Sequence, residues 1–258
     1  MQQELQTIGT HKKEKSKEPV LVIQDLHKAF GSNVVLDGFN MKLYPGENLV
    51  VLGRSGSGKS VLIKCVIGLL PADEGVINVF GEAVTEMSSE QLDQARVKMG
   101  FLFQSNALYD SMTVRENLEF PLRRHWFKLS AEEINRMVLE ALEDVGLAYT
   151  VDMMPAELSG GMRKRIALAR TLILKPQVIF YDEPTTGLDP ITGKEISELI
   201  VEVQKKYNTS SLIISHDMRC VRLTADRIVV LLDGKSYAEG TYDELKQSKD
   251  ANVYHFFE

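Results

Sequence analysis

Two cysteines, Cys65 and Cys220, are all that 258 residues contain, which excludes a disulfide framework and leaves no paired spacing for a zinc site. Each stands in an apolar neighbourhood, so both are expected to be reduced core thiols. The five histidines, His11, His27, His125, His216 and His255, are scattered and lack the close pairs of a histidine-held metal. No apolar run approaches the ~18 residues of a membrane span; stretches 61–70 and 228–232 are short, and the first carries Lys64. A basic excess is missing as well. With 30 Lys+Arg against 36 Asp+Glu, the net charge of −6 at pH 7 argues against a nucleic-acid platform, and no nucleic-acid partner is expected. Residues 1–19 have almost no apolar content and several lysines. They lack the apolar segment of a secretory signal and read as a disordered tail, solvated or touching anionic lipid, on a chain expected in the cytoplasm.

What the chain does contain is a strand, loop and helix unit at residues 49–70. Leu49, Val50, Val51 and Leu52 form an apolar strand. Gly53, Gly58, Lys59 and Ser60 then stand at G-x-x-x-x-G-K-[ST] spacing, and residues 61–70 continue as a helix. Gly53, Gly56 and Gly58 carry no side chain to block a phosphate and tolerate positive φ. The N–H groups of Ser55, Ser57 and their neighbours up to Ser60 can therefore converge on one anion, with Val61 next in line. The helix start adds roughly half a positive charge. Lys59 brings a full charge to the β- and γ-phosphates, and the Ser60 hydroxyl is sized to be one ligand of a Mg²⁺ sharing those oxygens.

A hydrophobic fraction of 44% over this length fills one large domain or a core plus a lobe. Strands are read at 20–23, 34–43, 76–80, 99–103, 178–182 and 211–215, with a turn at Pro45-Gly46. A hairpin joins 226–232 to 235–239 through Asp233-Gly234. Phe30, in the loop between the first two strands, can stack on a purine or simply pack. Residues 105–154 change to helical character: Ser130 and Glu133 form a capping box, Ile134, Val138, Leu139 and Leu142 follow at helical spacing, and Gly146 suits the stop. This predicts a helical lobe inserted into the sheet domain.

After the lobe, Ser159 can cap a second helix whose first-turn glycines, Gly160 and Gly161, leave N–H groups open to an anion. The alternative is an ordinary capped helix, with Arg163, Lys164 and Arg165 as a solvated face. The strand at 178–182 ends in Asp182 and Glu183, placed to hold Mg²⁺ through water and to aim at an attacking water; such a base is worth roughly 10²- to 10⁴-fold. His216 ends the next strand, within reach of a γ-phosphate. The two helix starts, at Gly58 and Ser159, suit the same anion but are separated by the lobe. A head-to-tail pair of copies would let each Ser159-Gly160-Gly161 cap the nucleotide on its partner's Lys59.

With these residues in place, 20–247 resembles the ATP-binding subunits of ABC transporters. The phosphate loop resembles their Walker A, Gln104 their Q-loop, Leu158-Ser159-Gly160-Gly161 their signature sequence, and Val178 to Asp182 their Walker B, followed by the catalytic-type Glu183. Gly187-Leu188-Asp189 resembles the D-loop, His216 the switch histidine, and Phe30 takes the place of the adenine-stacking aromatic, usually Tyr. The resemblance implies an α/β fold: a P-loop NTPase (RecA-like) core with a mostly parallel sheet, an antiparallel β subdomain and an inserted helical subdomain. Residues 20–104 and 156–245 would form the core with its β subdomain, 105–155 the helical subdomain and 246–258 a C-terminal tail. ATP and Mg²⁺ are implied, the metal held by Ser60, Gln104 and Asp182. Gln104 would link it to the lobe, and Asp189 would align a two-copy interface.

The signature sequence ends in Met162 where Gln is common. Together with the following Arg163-Lys-Arg-Ile-Ala-Leu-Ala-Arg, the stretch from Phe103 to Val114, Pro121 to His125 and the tail from Asp250 to Phe257, this is similar to the ATPases of Mla-type and other MCE-linked lipid transporters. That implies a membrane permease, an MCE-domain lipid-binding protein and a seat on the cytoplasmic face of the inner membrane. Sugar or amino-acid importers and drug exporters are the rival readings. Trp126 and Phe127, among Arg123, Arg124 and Lys128, read as a lipid-surface patch or as a loop packed on a partner. A soluble ABC-type ATPase of translation or repair usually has two cassettes or a long coiled coil, and here there is one cassette without heptads. Glu183 beside Asp182 argues against a small-molecule kinase and a non-hydrolysing module.

Overall fold

Alternating apolar positions make the first hairpin. Strands β1 (Leu21–Phe30) and β2 (Asn33–Leu43) pair antiparallel, Leu21 opposite Leu43 and Phe30 opposite Asn33. In the computed structural model, which describes residues 18–125 and 129–258, the pairing carries Phe30 into the last position of β1 rather than a loop. The reason is the tightness of the turn: Gly31, at φ +61°, reverses the chain at once.

The chain continues through β3 (Asn48–Leu52), α1 (Lys59–Val66), β4 (Glu74–Val79), β5 (Glu82–Ala83), α2 (Ser89–Val97), β6 (Met99–Leu102), α3 (Val114–His125), α4 (Ala131–Asp144) and α5 (Gly160–Leu172). It closes with β7 (Val178–Asp182), α6 (Pro190–Tyr207), β8 (Ser210–Ser215), α7 (Met218–Thr224), β9 (Arg227–Leu232), β10 (Lys235–Gly240), α8 (Tyr242–Lys246) and α9 (Ala251–Tyr254). Two sheets result. The antiparallel one has the order β2-β1-β4-β5; the other, β10-β9-β3-β8-β7-β6, is parallel except for β10. This is the expected α/β fold with its mostly parallel sheet.

The strand period of two explains how one sheet supports two cores. Val50 and Leu52 of β3, with Ile179, Tyr181 and Ile213, face α3 to α6. Leu49 and Val51, with Val178, Phe180, Leu212 and Ile214, face α1 and the antiparallel sheet. Both Cys65 and Cys220 are buried and free. Among the described residues no helix is long and apolar enough to cross a membrane.

Several local readings shift. Helix α1 starts at Lys59, because Gly58 at φ +97° is its N-cap, and stops at Val66, because Gly68 turns left-handed at φ +68°. Five helices escaped the sequence reading: α2, capped by the Ser88/Gln91 box, α6, capped by Asp189 with Pro190 in its first turn, and the short α7, α8 and α9. The Ser130/Glu133 box does start α4, and Gly146 follows its end at φ +71°. Asp233 and Gly234, both left-handed, make the β9/β10 turn. The C-terminal residues fold back, with Val253 buried and Phe257 edge-on to Tyr242 at 5.3 Å. The expected tail up to residue 17 and the pair Trp126 and Phe127, with Lys128, lie outside the described residues.

Gly75 shows what the β1/β4 contact demands. It sits at φ +95°, and a Cβ there would lie 2.2 Å from Asp25 O. Gly31 is also left-handed but has nothing within 4 Å of a Cβ. Gly31→Ala should therefore lose only the conformational cost, about 1–2 kcal/mol. Gly75→Ala should lose a further ~1–3 kcal/mol for the clash. Urea unfolding of both variants measures the difference, and equal losses would contradict the clash.

Candidate active site

The phosphate loop is shaped before any ligand enters. A Cβ on Gly53 would stand 2.7 Å from Ser57 Oγ and 2.9 Å from Leu231 O, so only glycine lets the loop close on β9. Gly56 and Gly58 take φ +78° and +97°. No side chain caps α1, so its first N–H groups are left for an anion. Lys59 is buried; its Nζ donates to Gly53 O at 2.9 Å and Arg54 O at 3.0 Å and lies 3.6 Å from Glu183 Oε1.

The carboxylates arrive from β7. Ser60 Oγ donates to Asp182 Oδ1 at 3.0 Å. Burial pushes the Asp182 carboxyl above its ordinary range, partly opposed by the Ser60 hydrogen bond. Glu183, just past the strand, is held at φ +49° by its N–H donating to Ile214 O at 2.9 Å; left-handed non-glycine backbone of this kind stores strain. Its Oε2 accepts from His216 Nδ1 at 2.8 Å and Thr186 Oγ1 at 3.4 Å.

A serine hydroxyl and a carboxylate at hydrogen-bond distance are hard oxygen donors, the kind Mg²⁺ takes. The described residues hold no group of three or more His, Cys, Asp or Glu placed to bind a metal. An ion here would thus share its ligands with phosphate and water, which is how Mg²⁺ is usually held.

Phe30, Ser55, Gly56, Gly58, Lys59, Ser60, Val61, Gln104, Glu183 and His216 line one cleft of about 360 Å³, together with Val35. Gly53 and Ser57 belong to the loop but do not line the cleft, a Cβ on Gly53 meeting Ser57 Oγ at 2.7 Å, and Asp182 is joined to the cleft through Ser60. Ser159, Gly160, Gly161 and Asp189 do not line it. Ser159 caps α5, its hydroxyl accepting from Met162 N at 3.2 Å, and Gly161 packs where a Cβ would meet Thr192 Cγ2 at 2.5 Å. Asp189 caps α6 and accepts from Thr192 Oγ1 at 2.6 Å, which lowers its pKa.

The basic run on α5 is not a solvated face. Arg163 donates to Leu158 O at 2.9 Å, and Arg165 pairs with Glu195 at 2.8 Å. Lys164 is 1% exposed, its Nζ donating to Gln104 O at 3.0 Å and Phe103 O at 3.4 Å; burial lowers its pKa to about 8, against the attraction of Asp182. Tertiary packing of the Gln104 loop over α5 overrides the charge pattern. Lys28 was also unread: it is buried, pairs with Asp73 at 2.6 Å and stands 5.4 Å from the Phe30 ring centre. Alternation along β1 hides it, because an irregularity between Ile23 and Leu26 shifts the buried phase onto Leu26 and Lys28.

Residues 36–186 match the profile of the ABC transporter family. The chain is 38% identical, over 237 residues, to the intermembrane phospholipid transport system ATP-binding protein MlaF of Haemophilus influenzae, spanning 92% of this chain and 89% of that protein. It is also 38% identical, over 234 residues, to the probable ribonucleotide transport ATP-binding protein mkl of Mycobacterium leprae, spanning 91% and 67%. Its structure is similar to that of the dimeric, ADP- and Pi-bound ATP-binding cassette MJ0796, with a TM-score of 0.78, 29% identity, and coverage of 86% of this chain and 98% of that one. A phosphate loop, a strand-end carboxylate and a histidine in one cleft, with a second carboxylate bonded to the loop's serine, on a chain with these relatives, lead to one conclusion: it belongs to the ABC transporter ATP-binding family and is an ATPase.

Proposed function

We propose that this ATPase powers a transporter moving phospholipid between membranes, of the Mla or MCE-linked type, as a head-to-tail pair of copies clamping two ATP molecules with Mg²⁺. Ser159, Gly160 and Gly161 offer a helix start that does not line the chain's own cleft, and a second copy is what would bring it to nucleotide. Each ATP then favours the closed pair, and hydrolysis removes that bias. For the cargo, support comes from Met162 in the signature sequence and from the likeness over 92% of the chain to a phospholipid transport protein. Equal identity to a probable ribonucleotide transport protein keeps another solute as the second reading.

Within each site, Phe30 stacks on adenine and the loop from Gly53 to Val61 cradles the phosphates. Ser60, Asp182 and Gln104 would hold a Mg²⁺, which neutralises charge on the phosphates. Glu183 takes the proton of the attacking water, while His216 contacts the γ-phosphate and orients Glu183 through their 2.8 Å hydrogen bond. The substrate itself readies the base: phosphate that engages Lys59 draws away the cation standing 3.6 Å from Glu183 Oε1, freeing that oxygen for water. Asp189 aligns the seam between copies.

The lobe, 105–155, carries closure to an integral-membrane permease, while 20–104 and 156–245 form the core and 246–258 the tail. The chain would sit on the cytoplasmic face of the inner membrane, held by that permease, with an MCE-domain lipid-binding protein in the same assembly.

Two substitutions separate base from metal ligand. Glu183→Gln should keep ATP binding while phosphate release falls by roughly 10²- to 10⁴-fold; normal turnover would remove the base. Asp182 has its pKa raised on folding. The stability it contributes is thus fully present below its unfolded value and lost as pH rises through the folded one. Asp182→Asn should therefore raise the nucleotide-free melting midpoint at pH 7 by roughly 2–6 °C, with a gain that shrinks as the solution is acidified. It should also abolish Mg²⁺-dependent hydrolysis; a lowered midpoint would contradict the burial penalty. For the cargo, affinity purification from membranes should recover a permease together with an MCE-domain protein, whereas a permease with a soluble solute-binding protein instead would favour the second reading.

A further inference from the structure

Helix α5 does more than present Ser159. Its side chains supply donors to the main chain of the loop that carries Gln104. Lys164 Nζ donates to Gln104 O at 3.0 Å and Phe103 O at 3.4 Å. Further along the same helix, Arg170 donates to Ala107 O at 2.7 Å and Asn106 O at 3.1 Å. Asn106 and Ala107 are both left-handed, at φ +64° and +52°, a backbone that persists only where its surroundings hold it. Among the described residues Gln104 O accepts from Lys164 alone.

Burying Lys164 is costly. At 1% exposure its Nζ donates to carbonyl oxygens among the described residues, with Asp182 attracting it from beyond hydrogen-bond reach. A methionine would fill the same space without desolvating a charge. Core packing therefore gives no reason for an ammonium at this position, whereas fixing the loop does.

We infer that Lys164 is a positioning residue that couples the two nucleotide sites of the pair, by making the Gln104 loop of one site move with the helix start that caps the other. The inference rests on the two-copy reading. From Ser159 to Lys164 the helix advances only about 7.5 Å, so a shift of its first turn on meeting the partner's nucleotide is delivered to Gln104 nearly undiminished. The seated or unseated state of one ATP is thus felt by the residue facing the other.

The test uses the full chain bound to its membrane partner, with ATP as the probe. Hydrolysis by the unmodified protein should be cooperative, with a Hill coefficient approaching the number of sites, about 2. Lys164→Met should bind ATP with unchanged Kd and still form pairs. Its kcat should fall by roughly ten- to a hundredfold, as for a misplaced catalytic group, and its Hill coefficient should drop to about 1. Lys164→Arg, which keeps the donors, should restore both.

A Lys164→Met protein with unchanged kcat and Hill coefficient, or a Lys164→Arg protein that restores neither, would overturn the coupling. A merely structural lysine would lower the melting midpoint and leave the Hill coefficient where it was. If Lys164→Met does not fold, Arg170→Met releases the same loop from its far end and should lower the Hill coefficient; no change would overturn the proposal equally. Failure of the two-copy reading looks different, since the unmodified protein would then be unpaired and non-cooperative.

Discussion

Lys59 and Glu183 face each other at 3.6 Å because β3 and β7, with β8 between them, end at the same edge of one parallel sheet. That edge gathers the candidate site strand by strand: the phosphate loop after β3, His216 after β8, Asp182 and Glu183 at β7, and Gln104 just beyond β6. Ligands of open α/β sheets gather at such carboxyl ends. A shift of one strand by a single residue would separate Lys59 from Glu183, so the fully buried runs of β3, β7 and β8 serve position as much as stability.

The site is not built for stability. Glu183 is left-handed, Asp182 is buried with its ionisation disfavoured, and Lys164 is a buried ammonium among carbonyls. Each costs of order 1–3 kcal/mol. Two apolar cores, one on each face of the parallel sheet, offset these costs. The same strain makes the cleft responsive, because a phosphate would give Lys59 a partner in place of the backbone carbonyls and Glu183 that hold it here.

Much of this was legible in the chain because it depends on local spacing. The phosphate loop, the Asp233-Gly234 hairpin and the Ser130/Glu133 cap each need only a few neighbouring residues, and the structure has all three. The gathering of Lys59, Glu183, His216 and Gln104 follows from strand ends. The depth of Lys164 does not. Its neighbours in sequence are arginines, and only the loop from Phe103 to Ala107, folded across α5 from about 60 residues away, makes it a buried donor. Phe30 moved from loop to strand because Gly31 tightened the turn, and α6 was missed although Asp189-Pro190 is a readable start.

The arrangement leaves Ser159 and its glycines off the cleft that Lys59 serves, and the whole account turns on what they meet. Sedimentation of the Glu183→Gln chain with ATP and Mg²⁺, alone and on its membrane partner, tests this most directly when compared with a Glu183→Gln chain also carrying Ser159→Arg. The account predicts two nucleotide-loaded copies per particle for the first and separate copies that still bind ATP for the second. Single loaded copies in the first, or pairing that survives Ser159→Arg, would contradict it.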